Sequence, residues 1–65
     1  IEYIYYRKVC IVLLKEFGLS YREISEHLHL GYYDVRYHYF DAISLQSINE
    51  KRFTVTLSSA KSLLQ

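Results

Sequence analysis

The chain offers few positions at which a helix has to break. Its 65 residues contain no proline and only two glycines, Gly18 and Gly31. Proline and glycine interrupt helices most strongly, and hydrophobic residues make up 51% of the composition. We therefore predict one mainly all-α domain over residues 1–65, with three to four helices, tight turns and a single core.

The first helix is predicted over residues 2–17, followed by Gly18 as its C-terminal cap. Its apolar residues recur with helical spacing on one face, which comprises Tyr6, Cys10, Leu13, Leu14 and Phe17. Val9 and Val12 lie off that face, so the helix is apolar over a wide arc. We favour a broad core contact with the C-terminal segment, and the alternative is a second buried side against a partner.

Two shorter helices are predicted next. Ser20 and Glu23 have the spacing of a capping box, in which each side chain bonds the backbone amide of the other residue. The second helix is therefore predicted over residues 21–29. Gly31 is an acceptable N-cap for a third helix over residues 32–44.

The spacing between these two helices is typical of a helix-turn-helix. Small Ser25 precedes a turn at His29 to Gly31, and β-branched Val35 follows ten residues after the serine. A close crossing of two helices needs a small residue on one and a filling residue on the other. The predicted core of this motif comprises Ile24, Ser25, Leu28, Leu30, Val35 and His38.

The C-terminal segment is ambiguous in the sequence. Residues 52–57 alternate and are rich in β-branched residues, whereas Leu57, Ala60 and Leu64 have helical spacing. We favour a loop at residues 47–53 and a helix over about residues 56–64, capped by Thr54 or Thr56. The alternative is a small β-hairpin wing over residues 46–57.

Residues 17–43 resemble the helix-turn-helix of LuxR-type response regulators and of region four of bacterial sigma factors. Transposase and resolvase DNA-binding domains share much of the pattern. The coinciding residues are Gly18, Leu19, Ser20, Glu23, Ile24, Leu28, Leu30, Val35 and His38. The chain departs from it at His29, where the family has a left-handed glycine, and at Gly31, where it has a serine or threonine cap. A residue other than glycine in that conformation costs on the order of 1 kcal/mol, although histidine tolerates it better than most.

The resemblance implies sequence-specific binding of duplex DNA, with the third helix in the major groove and a role in transcription regulation. The residues expected to read bases are Tyr32, Tyr33, Arg36, Tyr37 and Phe40. Arg36 is the first choice because arginine can bind guanine in a bidentate manner. The expected phosphate contacts are Arg22, Lys51 and Arg52, followed by Arg7 and Lys8.

The charge balance supports a second hypothesis. The net charge is only +1, and residues 20–44 carry two basic and four acidic side chains. The chain also has eight tyrosines. The exposed aromatic surface of the third helix is of the kind found at protein interfaces. A helix-turn-helix used as a protein-protein adaptor is therefore the alternative function.

No catalytic or metal-binding pattern stands out. His27 and His29 would diverge on a helix, and no paired carboxylates or Gly-rich phosphate loop are present, so we expect no enzyme, cofactor, metal or small-molecule substrate. No membrane span or signal peptide is recognisable, and we expect a cytoplasmic, nucleoid-associated protein. The chain lacks methionine, so we expect it to be a fragment of a longer protein. A homodimer or a fused partner would supply a second half-site contact.

Overall fold

The structure is a computed structural model that describes residues 5–63. This part of the chain contains four helices. They are α1 (Tyr6–Glu16), α2 (Tyr21–Leu28), α3 (Tyr32–Ser47) and α4 (Lys51–Leu63). Within residues 5–63 there is no strand, which confirms the all-α prediction at this level. Residues 2–4 of the predicted first helix and Leu64 of the last lie outside the described residues.

The core consists of two clusters that share α1 and α3. One joins α1, α3 and α4 and comprises Val9, Val12, Ala42, Phe53 and Leu57. The other joins α1, α2 and α3 through Ile11, Ile24 and Val35, each with no exposed surface. Because α1 contributes to both clusters, it lies against all three of the other helices.

The predicted buried face of α1 is wrong at its two ends. Leu13 and Leu14 do pack against the core, but Tyr6 and Phe17 are exposed. Cys10 is half-buried. The buried positions are Val9, Ile11 and Val12. Val9 and Val12 are covered by α4, and Ile11 is covered by α2 and α3. The favoured contact with the C-terminal segment is therefore confirmed.

The local signals around α2 and α3 are confirmed. The Ser20 hydroxyl accepts from the Glu23 amide at 3.2 Å, and the Glu23 carboxylate accepts from the Ser20 amide at 2.9 Å. Leu28 ends α2, and His29 follows in the left-handed conformation with φ 56°. Gly31 is the N-cap of α3. Ser25 is half-buried and donates to the Arg22 carbonyl, and its function at the helix crossing stays a prediction.

Helix α3 runs three residues past its predicted end at Ser44, to Ser47. Leu45 is half-buried against the core, so packing favours another turn. The helix then ends because Asn49 adopts the left-handed conformation with φ 56°. The Asn49 and Glu50 amides donate to the carbonyls of Gln46 and Leu45.

Helix α4 begins at Lys51, not near residue 56, and the predicted loop shortens to three residues. The Glu50 carboxylate accepts from the Arg52 and Phe53 amides, the capping function that the prediction gave to Thr54 or Thr56. The hydroxyls of those threonines instead donate to carbonyls four residues earlier in the helix. The hairpin alternative over residues 46–57 is wrong, since packing of Phe53 and Leu57 overrides the β-propensity of this run.

Candidate nucleic-acid interface

The outward side of α3 is aromatic. Val35 and Ala42 are buried on its inner side, with His38 and Tyr39 half-buried there as predicted. The residues opposite were predicted to read bases, and we call them the α3 aromatic face: Tyr32, Tyr33, Arg36, Tyr37 and Phe40. Tyr33 and Tyr37 are the most open of these, 78% and 67% exposed. The structure thus brings the five predicted residues together on one side of one helix.

Tyr21, the first residue of α2, contacts three aromatic residues of α3. Its ring lies edge-on to those of Tyr32 and Tyr39, with centroid distances of 6.2 and 5.7 Å, and tilted against that of Phe40 at 6.4 Å. These contacts join α2 to the outward side of α3 through aromatic rings. Their offset and edge-to-face geometries are the ones that aromatic quadrupoles favour.

Arg36 lies among these rings. Its guanidinium carbon is 5.9 Å from the Tyr21 centroid, 5.8 Å from that of Tyr32 and 5.9 Å from that of Phe40. Its Nε is buried and has no hydrogen-bond partner among residues 5–63. Cation–π attraction therefore holds this half-buried side chain.

A second cation meets the same ring. The Lys15 Nζ of α1 lies 4.2 Å from the Tyr21 centroid. Lys15 and Arg36 thus place two positive charges beside the aromatic face. Lys15, which lies outside residues 20–44, offsets part of the net negative charge of that segment, which includes the exposed Asp34 in the first turn of α3.

The outward surface of α2 is acidic. Glu23, Glu26 and His27 line a shallow depression there. Hydrogen bonds from the Ser20 amide and hydroxyl lower the pKa of the Glu23 carboxyl below its ordinary 4.5, with a smaller effect of His27. This carboxylate is therefore charged at neutral pH and repels phosphate. Arg22 is the residue of α2 that was predicted to contact a phosphate.

The predicted phosphate contacts are dispersed. Arg7 on α1, Arg22 on α2, and Lys51 and Arg52 at the start of α4 are all exposed. Lys51 follows the C-terminal end of α3, whereas Tyr32 begins that helix, and 16 residues separate the two ends by about 24 Å. The four exposed cations therefore do not form one patch.

Lys8 is the exception among these candidates, because it is engaged inside the fold. Its Nζ lies 3.3 Å from the Asp41 carboxylate and donates to the His38 Nδ1 at 3.2 Å, and its side chain is only 15% exposed. Desolvation, followed by the positive charges of Lys8 and Arg7, lowers the pKa of His38 below its ordinary 6.5, against the opposing effect of Asp34 and Asp41. Lys8 is thus the least suited of the five to contact a phosphate.

No family model matches the chain, and neither a curated protein nor a solved structure is significantly similar to it. The residues that sequence reasoning missed are Tyr21 and Lys15. Tyr21 stands directly after a helix N-cap, a position that is usually exposed, but its spacing of three and seven residues before Ile24 and Leu28 is a signal that it shares their apolar face. Only the tertiary crossing of α1, α2 and α3 brings it against Arg36.

Within residues 5–63, no helix has the length and apolar character needed to cross a bilayer.

Proposed function

We propose that this domain binds duplex DNA as a helix-turn-helix, with the α3 aromatic face in the major groove. The observation that carries the proposal is the geometry around the turn. Three residues join α2 to α3, His29 takes the left-handed conformation, and Ile24 and Val35 are buried together while the opposite side of α3 is open. A helix with its side chains fits a major groove about 12 Å wide.

The side chains on that face suit base edges better than phosphates. Arg36 offers paired donors to guanine O6 and N7, and the tyrosines combine an apolar ring for a thymine methyl with a hydroxyl that can donate. The phosphate contacts would come from Lys15, which lies on the Tyr21 ring, and from Arg22, the next residue of α2. Because these cations are few, binding by a single domain is weak and its salt dependence corresponds to few released ions.

Such a module positions a larger protein on DNA, and we assign it to the regulation of transcription. One recognition helix spans a few base pairs, so two copies on neighbouring half-sites would give the affinity that one lacks.

The test is to enrich a duplex site from a random library on the domain and to compare two arginine variants by fluorescence anisotropy. Arg36→Ala should cost about 1 to 3 kcal/mol on the selected site and little on random duplex. Arg22→Ala should weaken both alike and reduce the salt slope by about one. Equal losses of Arg36→Ala on both duplexes would leave Arg36 as a phosphate contact.

A second function, as a protein-protein adaptor, is favoured by one specific observation. Ile43 and Ile48 are exposed beyond Phe40, so α3 presents apolar surface along most of its length. Contiguous exposed apolar surface is a mark of protein interfaces. Absence of duplex binding even at low salt, together with capture of a protein partner, would reject the DNA proposal in favour of this one.

A further inference from the structure

The guanidinium of Arg36 is held in place before any ligand arrives. Three rings surround it, and two of them, Tyr32 and Phe40, belong to its own helix. The third ring, Tyr21, comes from α2 and fixes the group relative to the rest of the fold. Side chains in contact with each other but from different elements lose rotamer freedom during folding, not during binding.

The hydrogen-bonding state of Arg36 also indicates that its guanidinium is available to a ligand. Arginine has five N–H donors, one on Nε and four on the two Nη atoms. No carboxylate among residues 5–63 forms an ion pair with it, and its buried Nε has no partner there. Since Nε is covered, a planar acceptor pair can be bound by the two terminal Nη atoms only.

We propose that Tyr21 is a positioning residue that fixes the Arg36 guanidinium for end-on, bidentate recognition of guanine O6 and N7. The inference rests on the proposed DNA-binding function and deepens it, because it assigns a specificity function to a residue outside the recognition helix. Tyr21 acts through its ring, since the attraction of a cation to an aromatic face does not need the hydroxyl. Lys15 on the same ring adds positive charge beside the same position.

The experiment compares Tyr21→Leu with Tyr21→Phe on the selected duplex and on the same duplex carrying 7-deazaguanine, which lacks the N7 acceptor. Wild-type protein should discriminate between the two duplexes by about tenfold, the equivalent of about 1.4 kcal/mol. Tyr21→Phe should keep that ratio, and Tyr21→Leu should reduce it to near one while retaining affinity for random duplex. Thermal melting of both variants identifies any loss that comes from the fold alone.

The outcomes separate this proposal from the proposed function. If the wild-type domain binds no duplex, the DNA-binding function itself fails. If it binds and discriminates, but Tyr21→Leu keeps the wild-type ratio, the positioning function of Tyr21 is overturned while DNA binding stands. A Tyr21→Phe variant that loses the ratio as completely as Tyr21→Leu would overturn it too, since the hydroxyl and not the ring would then be responsible.

Discussion

His29 illustrates how a single residue can carry backbone strain in this fold. It ends α2 in the left-handed conformation, with φ 56° and ψ 43°. Histidine is tolerated there better than most residues, but glycine has no Cβ to clash. The side chain is exposed, so the strain is not offset by burial.

His29→Gly should therefore raise the free energy of unfolding by up to about 1 kcal/mol, the strain relieved less the entropy of a more flexible unfolded chain. Urea denaturation measures it. His27→Gly is the matched control, because His27 is an exposed histidine inside α2 and its replacement should cost about 0.3 to 0.5 kcal/mol of helix propensity. The same sign of change for both variants would contradict the left-handed assignment.

His38 makes stability depend on pH. Its pKa in the folded domain lies below the ordinary 6.5, chiefly because of desolvation and then because of Lys8 and Arg7, with Asp34 and Asp41 opposing. The folded state therefore binds a proton less readily than the unfolded state. The stabilisation is fully present above pH 6.5 and is lost as the pH falls through the folded value.

His38→Gln should flatten this dependence, and unfolding measured about one unit on either side of the ordinary value of 6.5 tests it. The lowered pKa values of Glu23 and Glu50 act in a separate window, below their ordinary 4.5. If His38→Gln keeps the wild-type slope, His38 is not the group responsible.

At the scale of the elements, α4 differs most from what its sequence suggests. Residues 52–57 read as a strand by composition, yet Phe53, Thr56 and Leu57 are buried with helical spacing. In a strand Phe53 and Val55 would share a face, whereas in the helix Phe53 has no exposed surface and Val55 is largely exposed.

This contrast gives a direct test of α4. Phe53→Ala should cost about 3 to 5 kcal/mol, enough to abolish cooperative melting of a domain this small. Val55→Ala should change stability by less than about 0.5 kcal/mol. Circular dichroism melting distinguishes the two variants. Comparable losses of stability for both would contradict the helix and favour a strand at residues 52–57.

The elements also show which parts of the fold a sequence can reveal. The capping box of α2 and the Gly31 cap each depend on residues within four positions, so a local pattern predicts them, whereas the left-handed conformation of His29 was implied by the resemblance to helix-turn-helix families. The start of α4 depends on Glu50, whose carboxylate also accepts from the Tyr5 hydroxyl at 2.8 Å across 45 residues. Such a contact leaves no local pattern.

The same limit applies to the candidate site. Spacing on α3 was enough to place Tyr33 and Tyr37 on an exposed face, since that needs only the helical period. The contact of Tyr21 with Arg36 needs the crossing angle of two helices. The burial of Lys8 against Asp41 and His38 likewise depends on how α1 lies along α3.

For the whole molecule, the central claim is that one end of α3 contacts DNA. The charge is nearly balanced, so a general electrostatic attraction to nucleic acid is small, and the affinity must depend on the aromatic face with its adjacent cations. Ile48, the C-cap residue at the opposite end of α3, is exposed to a similar fraction, 71% against 67% for Tyr37. These two positions lie about 16 Å apart along the helix axis.

The most direct measurement is therefore the affinity for the selected duplex of Tyr37→Ala and of Ile48→Ala, each checked for unchanged melting. Tyr37→Ala should weaken binding by about tenfold, and Ile48→Ala should leave it within about twofold of the wild type. Equal affinities for the two variants, or a larger loss for Ile48→Ala, would contradict the assignment of the α3 aromatic face as the surface that enters the groove.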